Sequence, residues 1–236
     1  LIFFCLIFSI SSCATSGRDA IEPPKYTPWD YLTSLNRERP GYAMYTYVLF
    51  NRRTKLLEEI HPDIAEVYSA VLETIEKAPL STNSMNVRAD ERNIFYVPSI
   101  SAKKERILSL DNYNINLSFS YISRFISVMK TDYIHAEKFA TEPGPFLVSL
   151  FSPLQYSVNT SKMYQNDFHL FFVDLSKFPV SSIKDIVETY RNFPIKKTET
   201  GIRALTILKS DLISLLPAYE SEFKILKGSA EYRDHN

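Results

Sequence analysis

GYAMYTYVLF, Gly41–Phe50, is the stretch on which the fold turns. Tyr42, Met44, Val48 and Phe50 occupy one alternating set, and Ala43, Tyr45, Tyr47 and Leu49 occupy the other. A strand with one wet face alternates apolar with polar residues. Here both sets are apolar or aromatic, so the strand is covered on both faces.

The chain on either side supplies the cover. HPDIAEVYSAVLETIEKAP, residues 61–79, carries the helical stripe Ile64, Val67, Tyr68, Val71, Leu72 and Ile75, with Pro62 in the first turn and Pro79 beyond the end. NIFYVPSI, residues 93–100, reads as a short strand that ends or bulges at Pro98. NYNINLSFSYISRFISVMK, residues 112–130, fits both periods, and its length favours a helix with Ile115, Phe119, Ile122, Phe125, Ile126 and Met129 inward. Strands follow at 145–151 and 168–176. SSIKDIVETYRNFP, residues 181–194, is a helix capped by Ser181 or Ser182, with Ile183, Ile186, Val187 and Tyr190 inward and Lys184 paired to Glu188. A last helical pattern runs from about Gly201 to Leu216, with a further one to Lys227.

This order of strands and helices predicts an α/β (or α+β) single domain. Its centre is a mixed, partly parallel sheet of about four strands with helices packed on its faces. The chain divides into residues 1–12, 13–28, a globular body at 29–228 and a polar tail at 229–236. Tyr26 and Trp29 are expected to pin the chain onto the body where it enters.

The first of these segments carries an address. LIFFCLIFSI, Leu1–Ile10, is uncharged and apolar apart from Ser9, which suits the core of a signal peptide and falls short of the roughly 20 residues of a spanning helix. The four residues that close it, Ile10, Ser11, Ser12 and Cys13, resemble the lipobox of bacterial lipoproteins. The resemblance implies cleavage before Cys13, acylation of its thiol and a lipid-anchored place in the bacterial envelope. No Met and no Lys/Arg segment precede Leu1, so the start of such a signal is expected to lie upstream. Ala14 stands where the family's inner-membrane retention signal has Asp, which implies the outer membrane in a Gram-negative host. Residues 14–28, with three prolines and no apolar period, read as a flexible tether.

Composition narrows the activity. Lys and Arg number 27 and Asp and Glu 27, so there is no overall electrostatic footprint for nucleic acid. The two cysteines are Cys5 and Cys13, which leaves the body without a thiol nucleophile or thiolate metal site. Only 5 glycines are present and none forms a phosphate-binding pattern, which argues against nucleotide enzymes of those kinds. No metal and no cofactor is expected.

Three functional readings remain. The first is a non-catalytic accessory or interaction module that meets another envelope protein. The second is an envelope hydrolase with a dispersed site, for which His135, His169, Asp167 and Asp174 are the candidates. The third is a site for an anionic small ligand at the sheet edge where the strands end. Its rim would take Arg52, Arg53, Lys103 and Lys104 beside Asp174 and Ser176, from the segments 51–54, 99–106, 152–155 and 174–177. The same residues also read as solvated loop ends, with Ser176 a turn residue.

Overall fold

The computed structural model describes residues 27–52, 62–77, 88–101, 108–129, 133–155, 167–196 and 201–229. Six strands form one mixed sheet: β1 (Trp29–Leu32), β2 (Met44–Leu49), β3 (Asn93–Pro98), β4 (Phe146–Leu150), β5 (Asp167–Asp174) and β6 (Phe223–Ser229). Among the described residues five α-helices accompany them: α1 (Pro62–Lys77), α2 (Ile115–Val128), α3 (Tyr133–Thr141), α4 (Val180–Asn192) and α5 (Ile202–Leu215). The strand order is β1-β3-β2-β4-β5-β6. β3 pairs in parallel with both β1 and β2, and the pairs β2/β4, β4/β5 and β5/β6 are antiparallel.

β2 lies at the centre and every residue in it is buried. Met44 and Val48 face a core shared with α1, α4 and α5, whereas Tyr45, Tyr47 and Leu49 face a second core shared with α2 and α3. From Met44 to Phe50 the two alternating sets thus correspond to two helical layers, whereas Tyr42 and Ala43, which precede β2, fall on the opposite cores from those their parity predicts. The first core carries a cluster of polar side chains against the sheet. Thr46 Oγ1 donates to Asn93 Oδ1 at 2.8 Å and lies 2.8 Å from Ser149 Oγ, which ties β3, β2 and β4 together beneath Tyr190. Buried hydroxyls and amides are tolerated there because they bond one another.

Several sequence expectations change. The sheet has six strands where about four were expected. The additions are β1 and β6, at its two edges. Residues 217–227, expected to prolong a helix, form a 3-10 turn at Pro217–Glu222 and then β6. The reason is tertiary: without β6, the outer edge of β5 would lose its hydrogen-bonding partner. The helix expected at 112–130 is present as α2, but its inward face is rotated to Leu117, Tyr121, Ile122, Phe125 and Val128. Ile115, Phe119 and Ile126 are half-buried. Ser118 lies on this rotated inward face, where its hydroxyl accepts from the Phe50 amide and donates to the Phe50 carbonyl. Pro179, rather than Ser181 or Ser182, is the N-cap of α4.

Gly144 connects α3 to β4 with φ of +77°, and a Cβ there would stand 3.0 Å from the Leu49 carbonyl oxygen. Gly144→Ala is expected to cost about 1–3 kcal/mol through backbone strain and overpacking. Urea unfolding of the purified chain measures it, and an unchanged midpoint would contradict this packing.

Candidate functional site

β4 is antiparallel to both β2 and β5, so β2, β3 and β5 run the same way and end at one edge of the sheet. Asn51 and Arg52, Ser99–Ser101 and Asp174–Lys177 leave from that edge. Residues 152–155 follow β4 and leave from the opposite one, so this segment does not join them. Arg53, Lys103 and Lys104 lie outside the described residues, as do Cys13, the remainder of residues 1–26 and the tail from residue 230.

At this edge Asn51 and Arg52 terminate a helix. Asn51 Nδ2 donates to the carbonyls of Phe139, Ala140 and Glu142 at 3.2, 2.8 and 3.0 Å. The exposed Arg52 side chain donates to the Thr141 carbonyl at 2.7 Å. The last carbonyls of a helix have no partner within it, and these two side chains supply donors for the end of α3. Asp174 closes β5 and is 1% exposed. Its Oδ1 accepts from the Ser176 amide at 3.0 Å and the Ser176 hydroxyl at 2.7 Å, while among the described residues its Oδ2 has no hydrogen-bond partner. Burial pushes the Asp174 carboxyl above the usual carboxylate range, although the Ser176 bonds and the charges of Lys177 and Lys138 pull the other way. Ser176 is thus the turn residue that holds Asp174.

The histidine candidates do not meet. His135 sits on α3, which packs through Phe139 on the β2 face that carries Tyr45 and Tyr47. His169 shares its strand face with Phe171 and Val173, on the other side of the sheet. Asp167 opens β5 opposite Ser229, and Asp174 closes it about 23 Å away at roughly 3.3 Å per residue. Among the described residues no three His, Cys, Asp or Glu side chains gather as a metal site.

A second arrangement, at the β1 end of the sheet, is one that the sequence did not suggest. β1 and β2 are both parallel to β3 and lie on either side of it, so the chain between them must return across the sheet. Connections of this kind are commonly helical. Here Thr33–Ala43 crosses without a helix, over a row of tyrosines. The Arg39 amide donates to the Tyr96 hydroxyl at 2.6 Å, and the Tyr42 amide donates to the Tyr45 hydroxyl at 3.1 Å. Tyr47 donates to Glu38 Oε1 at 3.1 Å and accepts from the Leu154 amide at 2.8 Å. Gln155 Nε2 donates to the Glu38 carbonyl at 3.1 Å. Glu38 is thereby 4% exposed, while its neighbours Arg37 and Arg39 face solvent. Asn36 takes φ of 61°, a conformation Asn adopts more readily than most residues, and accepts from Arg124 at 2.7 Å. Burial holds Tyr47, Tyr96 and Tyr121 far above the ordinary phenol range, so all three remain protonated at neutral pH.

Beside this crossover an open recess of about 230 Å³ wraps the outer edge of β1, lined by Thr27, Pro28, Trp29, Asp30, Tyr31 and Arg39. Trp29 and Tyr31 meet edge to face with ring centroids 5.0 Å apart. Arg39 Nε and Asp30 Oδ2 form an ion pair at 2.9 Å, with the Arg39 side chain 56% exposed. Alternation of Trp29 and Tyr31 was the only sequence signal for β1, and four residues carry little periodicity.

The chain was compared with protein-family models, with curated proteins and with solved structures, and none of the three comparisons found a match.

Two variants probe these sites. Tyr47→Phe leaves the Leu154 amide and the Glu38 carboxylate short of a partner and is expected to cost about 1–3 kcal/mol. Chemical denaturation at neutral pH reads this out. Asp174 has a folded pKa above its unfolded one, so its contribution to stability is full below the unfolded value and falls as pH rises through the folded one. Asp174→Asn is therefore expected to raise the melting temperature at pH 7, with the gain shrinking as pH is lowered into the carboxylate range. A variant that melts below the wild type at pH 7 would contradict the burial argument.

Proposed function

We propose that this chain is a bacterial envelope lipoprotein, anchored by acyl chains on Cys13, whose folded part is a non-catalytic module for interaction with another envelope protein. The observation that carries the reading is the uncharged run Leu1–Ile10 closing on Ile10, Ser11, Ser12 and Cys13. Two acyl chains give stable membrane attachment, whereas a single chain is marginal. Among the described residues no helix is long and apolar enough to cross a membrane, so the anchor is the feature that supports a membrane location. The absent Asp at Ala14 favours the outer membrane in a Gram-negative host.

The entry point of the chain is compatible with this reading. Pro28 accepts from the Phe95 amide at 2.9 Å, and Thr27 Oγ1 lies 3.0 Å from the Tyr42 hydroxyl, so the chain enters the fold at the β1 edge of the sheet. Neither alternative gains similar support. A hydrolase built on His135 and His169 would have to act through an intervening sheet. An anionic ligand at the strand ends would compete with the end of α3 for Arg52.

Metabolic labelling with palmitate in the native host tests the anchor. The wild type is expected to carry label and to sediment with membranes, and Cys13→Ala is expected to lose both. A Cys13→Ala protein that stays with the membrane would overturn the proposal.

A further inference from the structure

The strongest unassigned surface is the rim around the β1 recess. We infer that Trp29, Arg37 and Arg39 form a docking site for the lipid headgroups of the bilayer that holds Cys13, so that the β1 edge lies on the membrane. The inference rests on the lipid-anchor reading and adds to it the face turned toward the lipid.

Three features of the rim point to a lipid surface. Trp29 is half-buried at a sheet edge, backed by the ring of the buried Tyr31, and an indole favours the boundary between headgroups and acyl chains. The segment Arg37, Glu38, Arg39 displays more positive charge than its sequence suggests, because Glu38 is turned inward onto Tyr47 while both arginines face out. Asp30 offsets one of the two, and Arg124 adds a cation beside Asn36. The rim is also preformed, since the tyrosine hydroxyls hold the crossover in place and little order has to be gained on docking.

Chain length supplies the fourth argument. From Cys13 to Thr27 the chain reaches at most about 50 Å when fully extended. A surface tethered so closely meets the bilayer at a high effective concentration, so weak affinity suffices to keep it docked. Other surfaces of the domain then remain open to a protein partner.

Trp29 is the one tryptophan of the chain, which makes it a built-in reporter. The acylated full-length protein is reconstituted into vesicles of phosphatidylethanolamine and phosphatidylglycerol (3:1) whose acyl chains are brominated near the headgroup. Trp29 emission is expected to be quenched relative to unbrominated vesicles, and in both kinds of vesicle to be blue-shifted relative to the unacylated protein in solution. High salt is expected to reverse both changes, as is the variant Arg37→Gln/Arg39→Gln, its fold checked by circular dichroism. Palmitate-labelled protein that floats with the vesicles while Trp29 stays unquenched would overturn the docking inference alone. Loss of both label and flotation would overturn the anchor reading, and the docking inference with it.

Discussion

The structure depends on a constraint set by topology. Because β1 and β2 both run parallel to β3, the chain between them has to cross the sheet, and Thr33–Ala43 does so without a helix to satisfy its own backbone. Amides buried in such a crossing would each cost free energy if left without an acceptor. Tyr45 and Tyr96 solve this by packing their rings in the core and lifting their hydroxyls to the Tyr42 and Arg39 amides. Tyr47 extends the same row to Glu38 and to Leu154, which links the crossover to the segment after β4.

One strand therefore serves three purposes. Met44 and Val48 fix the layer of α1, α4 and α5, Leu49 contributes to the layer of α2 and α3, and Tyr45 and Tyr47 reach past that layer to the crossover. Thr46 adds a polar tie to β3 and β4 at a position where apolar residues alone would leave register less defined. The tyrosine richness of Gly41–Phe50 thus follows from geometry: a ring long enough to span a core, ending in a group that can hydrogen-bond.

The central strand and the long helices α1 and α4 were legible in the sequence because period and burial agree there. β1 and β6 were not. β1 is short, and the Phe223, Leu226 spacing within β6 suits a helix as well as a strand, so only the unpaired edge of β5 decides between them. The face of α2 was misread because a buried serine, Ser118, has no signature in an apolar stripe. Asp174 and Ser176 were legible as a pair at a strand end, and the structure shows why they are together: Ser176 holds the carboxylate that burial disfavours. The β1 rim was the least legible feature. Its charge pattern appears only when Glu38 is seen to turn inward, and that turn depends on a tyrosine nine residues along the chain.

The claim that tyrosine hydroxyls fasten the crossover is tested most directly by amide hydrogen exchange at Arg39. The Arg39 amide is expected to be protected in the wild type nearly as well as the Phe95 amide of β3. In Tyr96→Phe it is expected to exchange freely while Phe95 stays protected. A wild-type Arg39 amide that exchanges at the rate of an open loop, or one that keeps its protection in Tyr96→Phe, would contradict the account.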